Sequence, residues 1–220
     1  MTFILDRSNT KNKNRTMISS KPLRAILIGL VVIAASAAAD NSYITHCAQC
    51  HGTDGAGSDE IGAPNLTLLS EPYIERQLHA FKTGWRSGDN RYTQSMVAAI
   101  VTLDAPVLAK ATTAISALPD KNVAVPAARL GDKARGKTLY TAYCGACHGT
   151  TALGNDALGA PNLLGLSGDY LVRQYLNFAE GRRGTHTNDR YGQQMARLAK
   201  ALKDPKLIDD VTAYVVSIAE

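Results

Sequence analysis

All four cysteines of the chain lie in two copies of one short string, Cys47-Ala48-Gln49-Cys50-His51 and Cys144-Gly145-Ala146-Cys147-His148, set ninety-seven residues apart. No other feature restricts the fold as strongly, because each copy must serve chemistry that needs two sulfurs and an imidazole at fixed spacing. A disulfide inside Cys-x-x-Cys closes a loop too small to restrain much chain. Pairing across the copies would leave the repeated histidines without a use. A thioredoxin-like redox pair expects a βαβ setting that is missing here, and one zinc ion on four thiolates would again idle both histidines. The string is instead the attachment signature of c-type haem. Residues three apart on a helix lie on neighbouring turns, so both sulfurs reach the vinyl groups of one porphyrin edge, and the following histidine presents a ring nitrogen to iron. Two covalently bound haem c groups are therefore expected, on Cys47 and Cys50 and on Cys144 and Cys147, with His51 and His148 as iron ligands.

The doubling extends beyond the strings. At the same offset Gly-Ala-Pro-Asn-Leu at 62–66 falls on the identical run at 159–163, and Tyr73, Arg76, Gln77, Phe81, Gly84 and Arg86 fall on Tyr170, Arg173, Gln174, Phe178, Gly181 and Arg183. A two-residue insertion then shifts the offset, and Arg91, Tyr92, Gln94 and Met96 meet Arg190, Tyr191, Gln193 and Met195. This is a duplicated domain: residues 40–121, a Pro- and Ala-containing linker at 122–128, and residues 129–220. Within each copy the apolar spacing is helical. Ile74, Leu78 and Phe81, and likewise Leu171, Tyr175 and Phe178, recur at i, i+4 and i+7. Leu207, Val211, Tyr214 and Ile218 form a stripe on the last helix, and Leu108, Ala111, Ile115 and Leu118 a weaker one closing the first copy. No run alternates long enough to make a sheet, so the protein is predicted to be all-α. Each copy is small enough that a cofactor is a natural staple for its core.

Residues 25–39 form an apolar, Ala-rich run behind Lys21 and Arg24 that ends in three alanines before Asp40, the order of a secretory signal, and cleavage is expected after Ala39. The run falls short of a spanning helix. Without residues 1–39 the chain keeps eighteen basic and eighteen acidic side chains, so a basic pI supports no nucleic-acid role. The first copy retains six basic against nine acidic residues and the second twelve against nine, which allows the halves to face different partners.

Taken together, the two strings, each followed by Gly-Ala-Pro-Asn-Leu and later by Tyr-x-x-x-Met, resemble the dihaem cytochrome c4 family, tandem class I cytochrome c domains in which a few helices wrap a covalent haem. The resemblance implies that Pro64 and Pro161 lend their carbonyls to the haem-bound histidines. Met96 and Met195, the two methionines that remain after processing, stand in matching register, and with the family pattern this makes them the sixth iron ligands. His46, His79 and His186 lack counterparts in the other copy and are read as surface or core residues. An iron closed by histidine and methionine exchanges electrons only. The expectation is a periplasmic electron carrier, with a cytochrome bc-type complex or a dehydrogenase as donor, a terminal oxidase as acceptor and peripheral membrane association as an option. The alternatives are a dihaem enzyme, peroxidase-like or thiosulfate-oxidising, and an electron-entry subunit bound tightly to a partner. Arg91, Arg190, Tyr92 and Tyr191 are candidates for haem propionates or a domain interface. Trp85 stands where the second copy has Arg182, a departure expected to make the two haem environments unequal. Gly136 and Tyr140 match the first-helix contact that class I cytochromes make with the last helix, here at Tyr214, whereas the first copy has a short first helix with Tyr43 opposite Tyr140.

Overall fold

Apolar side chains one helical turn apart build two similar helical arrays, one per copy. The computed structural model describes residues 41–121, 131–202 and 204–219, all within one compact unit; the expected leader at 1–39 and linker at 122–128 lie outside these residues. The first repeat comprises α1 (Ser42–His46), α2 (Ala48–His51), α3 (Glu71–Lys82), α4 (Arg91–Ile100) and α5 (Ala105–Ser116). The second comprises α6 (Lys133–Tyr143), α7 (Gly145–His148), α8 (Gly168–Ala179), α9 (Arg190–Ala199) and α10 (Pro205–Ser217), with a 3₁₀ turn at Asp156–Leu158. Among the described residues there is no strand, only two isolated bridges at matching places, Ser58 with Ala63 and Asn155 with Ala160. The all-α reading holds.

Most of the longer helices start on a side chain that accepts from an otherwise orphaned backbone N–H: Asn90 for α4, Asp104 for α5, Asp132 for α6, Ser167 for α8, Asp189 for α9 and Asp204 for α10. In α3 the predicted stripe is the buried one, Ile74, Leu78 and Phe81, and it packs with Tyr43, Ala48, Ile100 and Ile115. In α8 the buried apolar side chains are Val172, Tyr175 and Phe178, with Leu171 only partly covered. The last helix corrects the sequence reading. Ile208, Val211 and Val215 face the core, while Leu207 and Tyr214 are half-buried and Ile218 is exposed at the helix end. So many flanking positions of α10 are apolar or small that the pattern alone selects the wrong edge of a wide stripe.

Gly136 lets α6 cross α10 at very short range, since a Cβ there would stand 2.0 Å from the Asp210 carbonyl oxygen. Beside this crossing the rings of Tyr140 and Tyr214 lie 5.5 Å apart. Buried Asp210 accepts from the backbone N–H of Asp132 at 2.8 Å and from Arg135 Nε, which hold its carboxyl below the usual range. In the first repeat α1 has only five residues where α6 has eleven, in keeping with its short sequence. Tyr43 nonetheless does what Tyr140 does: each hydroxyl donates to the carbonyl of the glycine after the haem-string histidine, Gly52 or Gly149. Among the described residues no single helix is long and apolar enough to cross a membrane.

The repeats are laced together reciprocally. Arg76 of α3 donates to the Gly159 carbonyl of the second repeat at 2.8 Å, and Arg173 of α8 donates to the Gly62 carbonyl of the first at 2.7 Å. Each guanidinium also covers a tyrosine ring of the other repeat, Tyr191 at 4.7 Å and Tyr92 at 4.1 Å.

Candidate haem sites

Each Cys-x-x-Cys-His string straddles a break between two helices. Cys47 joins α1 to α2 and Cys144 joins α6 to α7, so the second cysteine and the histidine sit on a single short turn. All four cysteines are unbridged; Cys50 and Cys147 are exposed, whereas burial raises the Cys47 and Cys144 thiols to about 11. The disulfide alternative therefore has no counterpart in the fold.

Both histidines are buried, and each turns Nδ1 to a proline carbonyl, His51 to Pro64 at 3.0 Å and His148 to Pro161 at 2.9 Å. Burial lowers both imidazole pKa values, and the carbonyl bond only partly opposes it. The neutral ring that results donates from Nδ1 and keeps the Nε2 lone pair free, the state a metal ligand requires. Two glycines not singled out from the sequence make this possible. Gly57 and Gly154 have φ of +82° and +84°, and a Cβ on either would stand 2.5 or 2.6 Å from the proline carbonyl carbon. Their N–H groups donate to the carbonyls of His51 and His148, closing a small circuit of histidine, glycine and proline. Their identical register in the two copies was the available signal.

In the second repeat His148 and Pro161 line a partly open, mostly apolar cleft. Cys144, His148 and Pro161 are on its walls, as are Met195 and the apolar Leu171, Tyr175, Phe178 and Val211. In the first repeat Met96 is half-buried and packs with Cys47 against the cluster that holds Ile74, Leu78 and Phe81. The cleft suits a large flat apolar group with one polar edge, because Arg76 and Arg183 stand among its mostly apolar lining. Arg183 is 7 % exposed and donates to Gln174, Gln77 and Tyr73; Arg86, equally buried, donates to Gln77, Gln174 and Tyr170. Among the described residues no carboxylate hydrogen-bonds either guanidinium. Burial, and then the charge of Arg183, lowers the Arg86 pKa, while Arg86 and Arg183 together bring Tyr170 below its ordinary value against the upward push of burial. Two desolvated cations without an acid are costly, and a propionate-bearing ligand answers that cost. Residues Tyr73, Arg76 and Gln77 of the first repeat also line the second repeat's cleft.

The other sequence candidates separate. Tyr92 and Tyr191 lie at the junction of the repeats, each under arginines of both, whereas Arg91 and Arg190 are exposed and donate to the neighbouring tyrosine hydroxyl. His46 is exposed at the end of α1, and His79 and His186 flank Trp85.

The family model for cytochrome c matches residues 36–104 and 133–219. A relative from Stutzerimonas stutzeri, described as a thiosulfate dehydrogenase electron acceptor, is 30 % identical over 79 % of this chain and 79 % of its own. Cytochrome c4 of Pseudomonas aeruginosa is 28 % identical over 86 % of this chain and 92 % of its own. The crystal structure of reduced cytochrome c4 from Pseudomonas stutzeri superposes with a TM-score of 0.62 at 25 % identity, covering 80 % of this chain and 96 % of that one. Two matches of the domain model, on two complete attachment strings, mean two covalently bound haem c groups. The chain thus belongs to the cytochrome c family, as a dihaem electron carrier of the cytochrome c4 kind.

Proposed function

We propose that this protein is a periplasmic carrier of single electrons between respiratory components, built from two domains, residues 40–121 and 129–220. In this reading Cys47 and Cys50, and Cys144 and Cys147, hold the haems by thioether bonds. His51 with Met96, and His148 with Met195, would ligate the two irons. The observation that carries it is the placing of Cys144, His148 and Met195 on the walls of one cleft, with His148 fixed by Pro161. Bound there, the haem supplies a one-electron couple. The proline carbonyl holds the Nδ1 proton so that Nε2 keeps its lone pair and aim. The apolar walls exclude water, and the methionine thioether, a soft donor, favours the reduced state and closes the position at which oxygen or peroxide would bind. The buried arginines neutralise propionates. With no open position the protein relays electrons and does no further chemistry.

The test is a visible and magnetic spectrum of the purified protein in both redox states, which counts haems and reports axial ligands. Two low-spin His/Met haems are expected. Met195→Ala should remove the thioether signature from one haem alone and lower its midpoint potential. A spectrum untouched by that change overturns the ligand assignment, and peroxide turnover by the unaltered protein restores the enzyme reading. Export is tested by sequencing the mature amino terminus, expected at Asp40. The thiosulfate dehydrogenase electron acceptor among the relatives favours a dehydrogenase as donor. Rapid reduction by such an enzyme with thiosulfate present, and slow reduction without it, is the expected result.

A further inference from the structure

Three departures from repeat symmetry meet at one place. Trp85 replaces the arginine that stands at 182 in the second copy, His79 replaces Leu176, and His186 lies in the segment 184–189 that is two residues longer than its counterpart 87–90. Scattered in sequence, they converge in space. The half-buried indole of Trp85 stacks on His186 of the other repeat, with centroids 4.8 Å apart and planes within 14°, and meets the ring of His79 edge-on at 4.8 Å. His186 is itself seated: its Nδ1 accepts from the Asn188 N–H at 3.2 Å, and its carbonyl from the Gln193 side chain at 2.9 Å. Among the described residues nothing equivalent occurs on the opposite side, where Arg182 instead pairs with Glu180 and Asn177 of its own repeat.

We propose that the His79–Trp85–His186 ring clasp is a positioning device for Arg86, and that through it the second repeat sets the potential of the haem in the first. The inference rests on the haem-carrier reading above. Arg86 directly follows Trp85 in the chain. It occupies the register position of Arg183, which lines the second repeat's cleft, and that symmetry assigns Arg86 to the first haem. Arg86 is 7 % exposed; among the described residues its guanidinium donates to the neutral acceptors Gln77, Gln174 and Tyr170 and lies over the Phe81 ring. A buried guanidinium disfavours the extra positive charge of oxidised iron and raises the potential. Freeing the loop lets Arg86 reach solvent, and the first haem's potential falls.

The test is a redox titration followed by NMR, each haem's signals assigned to its own repeat. Trp85→Ala should lower the first haem's midpoint and leave the second nearly unmoved. The discriminating variant is His186→Ala, which lies in the second repeat yet should shift the first haem several-fold more than the second. Trp85→Phe and His186→Phe keep a stacking ring and should stay close to the unaltered protein. Trp85 is the sole tryptophan, so its single indole N–H resonance should move in His186→Ala. A shift confined to the second haem, or equal shifts in both, overturns the proposal. The carrier reading stands or falls separately, on whether the same samples show two low-spin haems.

Discussion

A single hydrogen bond orients each histidine, and a single glycine leaves room for it. Gly154 sits in the left-handed region with the Pro161 backbone against its α-carbon. Gly154→Ala therefore incurs about 1–2 kcal/mol for the positive φ and must also push Pro161 away. The expected outcome is a loss of at least ~1 kcal/mol in denaturant unfolding, together with weaker protection of the His148 Nδ1 proton from exchange. Gly57→Ala should act alike on His51. The histidines were legible because chemistry fixes their spacing to the cysteines. The glycines were not, because the need for a missing Cβ becomes visible only once the chain has folded back on itself.

Helix faces show how far periodicity reaches. The stripe on α3 was readable since Ile74, Leu78 and Phe81 are flanked by polar residues such as Glu75, Arg76 and Gln77. On α10 apolar residues spread over most of the circumference, and the buried edge runs through Ile208, Val211 and Val215 instead of Leu207, Tyr214 and Ile218. Packing against α6 decides this, through the Gly136 crossing and the buried carboxylate of Asp210. Because Arg135 holds the folded-state pKa of Asp210 below its unfolded value, its stabilisation is present above the unfolded pKa of about 3.9 and is lost as pH falls through the folded pKa. Asp210→Asn should lower stability at neutral pH and flatten the acid limb of a stability curve below about pH 4, read by calorimetry of the two variants side by side. Gly136→Val should separate α6 from α10 and lower the melting temperature of the shared transition.

At the scale of the molecule, duplication was plain in the sequence while the way the copies face each other was not. Arg76 and Arg173 marked the repeat register, yet their carbonyl partners, Gly159 and Gly62, lie in the opposite copy. Identity between repeats shows what each shares, not what each lends. Replacing both arginines by alanine should split one thermal transition into two, each repeat melting alone, whereas either single replacement should lower a shared transition. Tyr73, Arg76 and Gln77 of the first copy form part of the wall of the second copy's cleft. That loan has a historical consequence: once the first half finished the second's wall, its gene segment could not be deleted without damaging its twin, so the pair became a single heritable object instead of two independent spares.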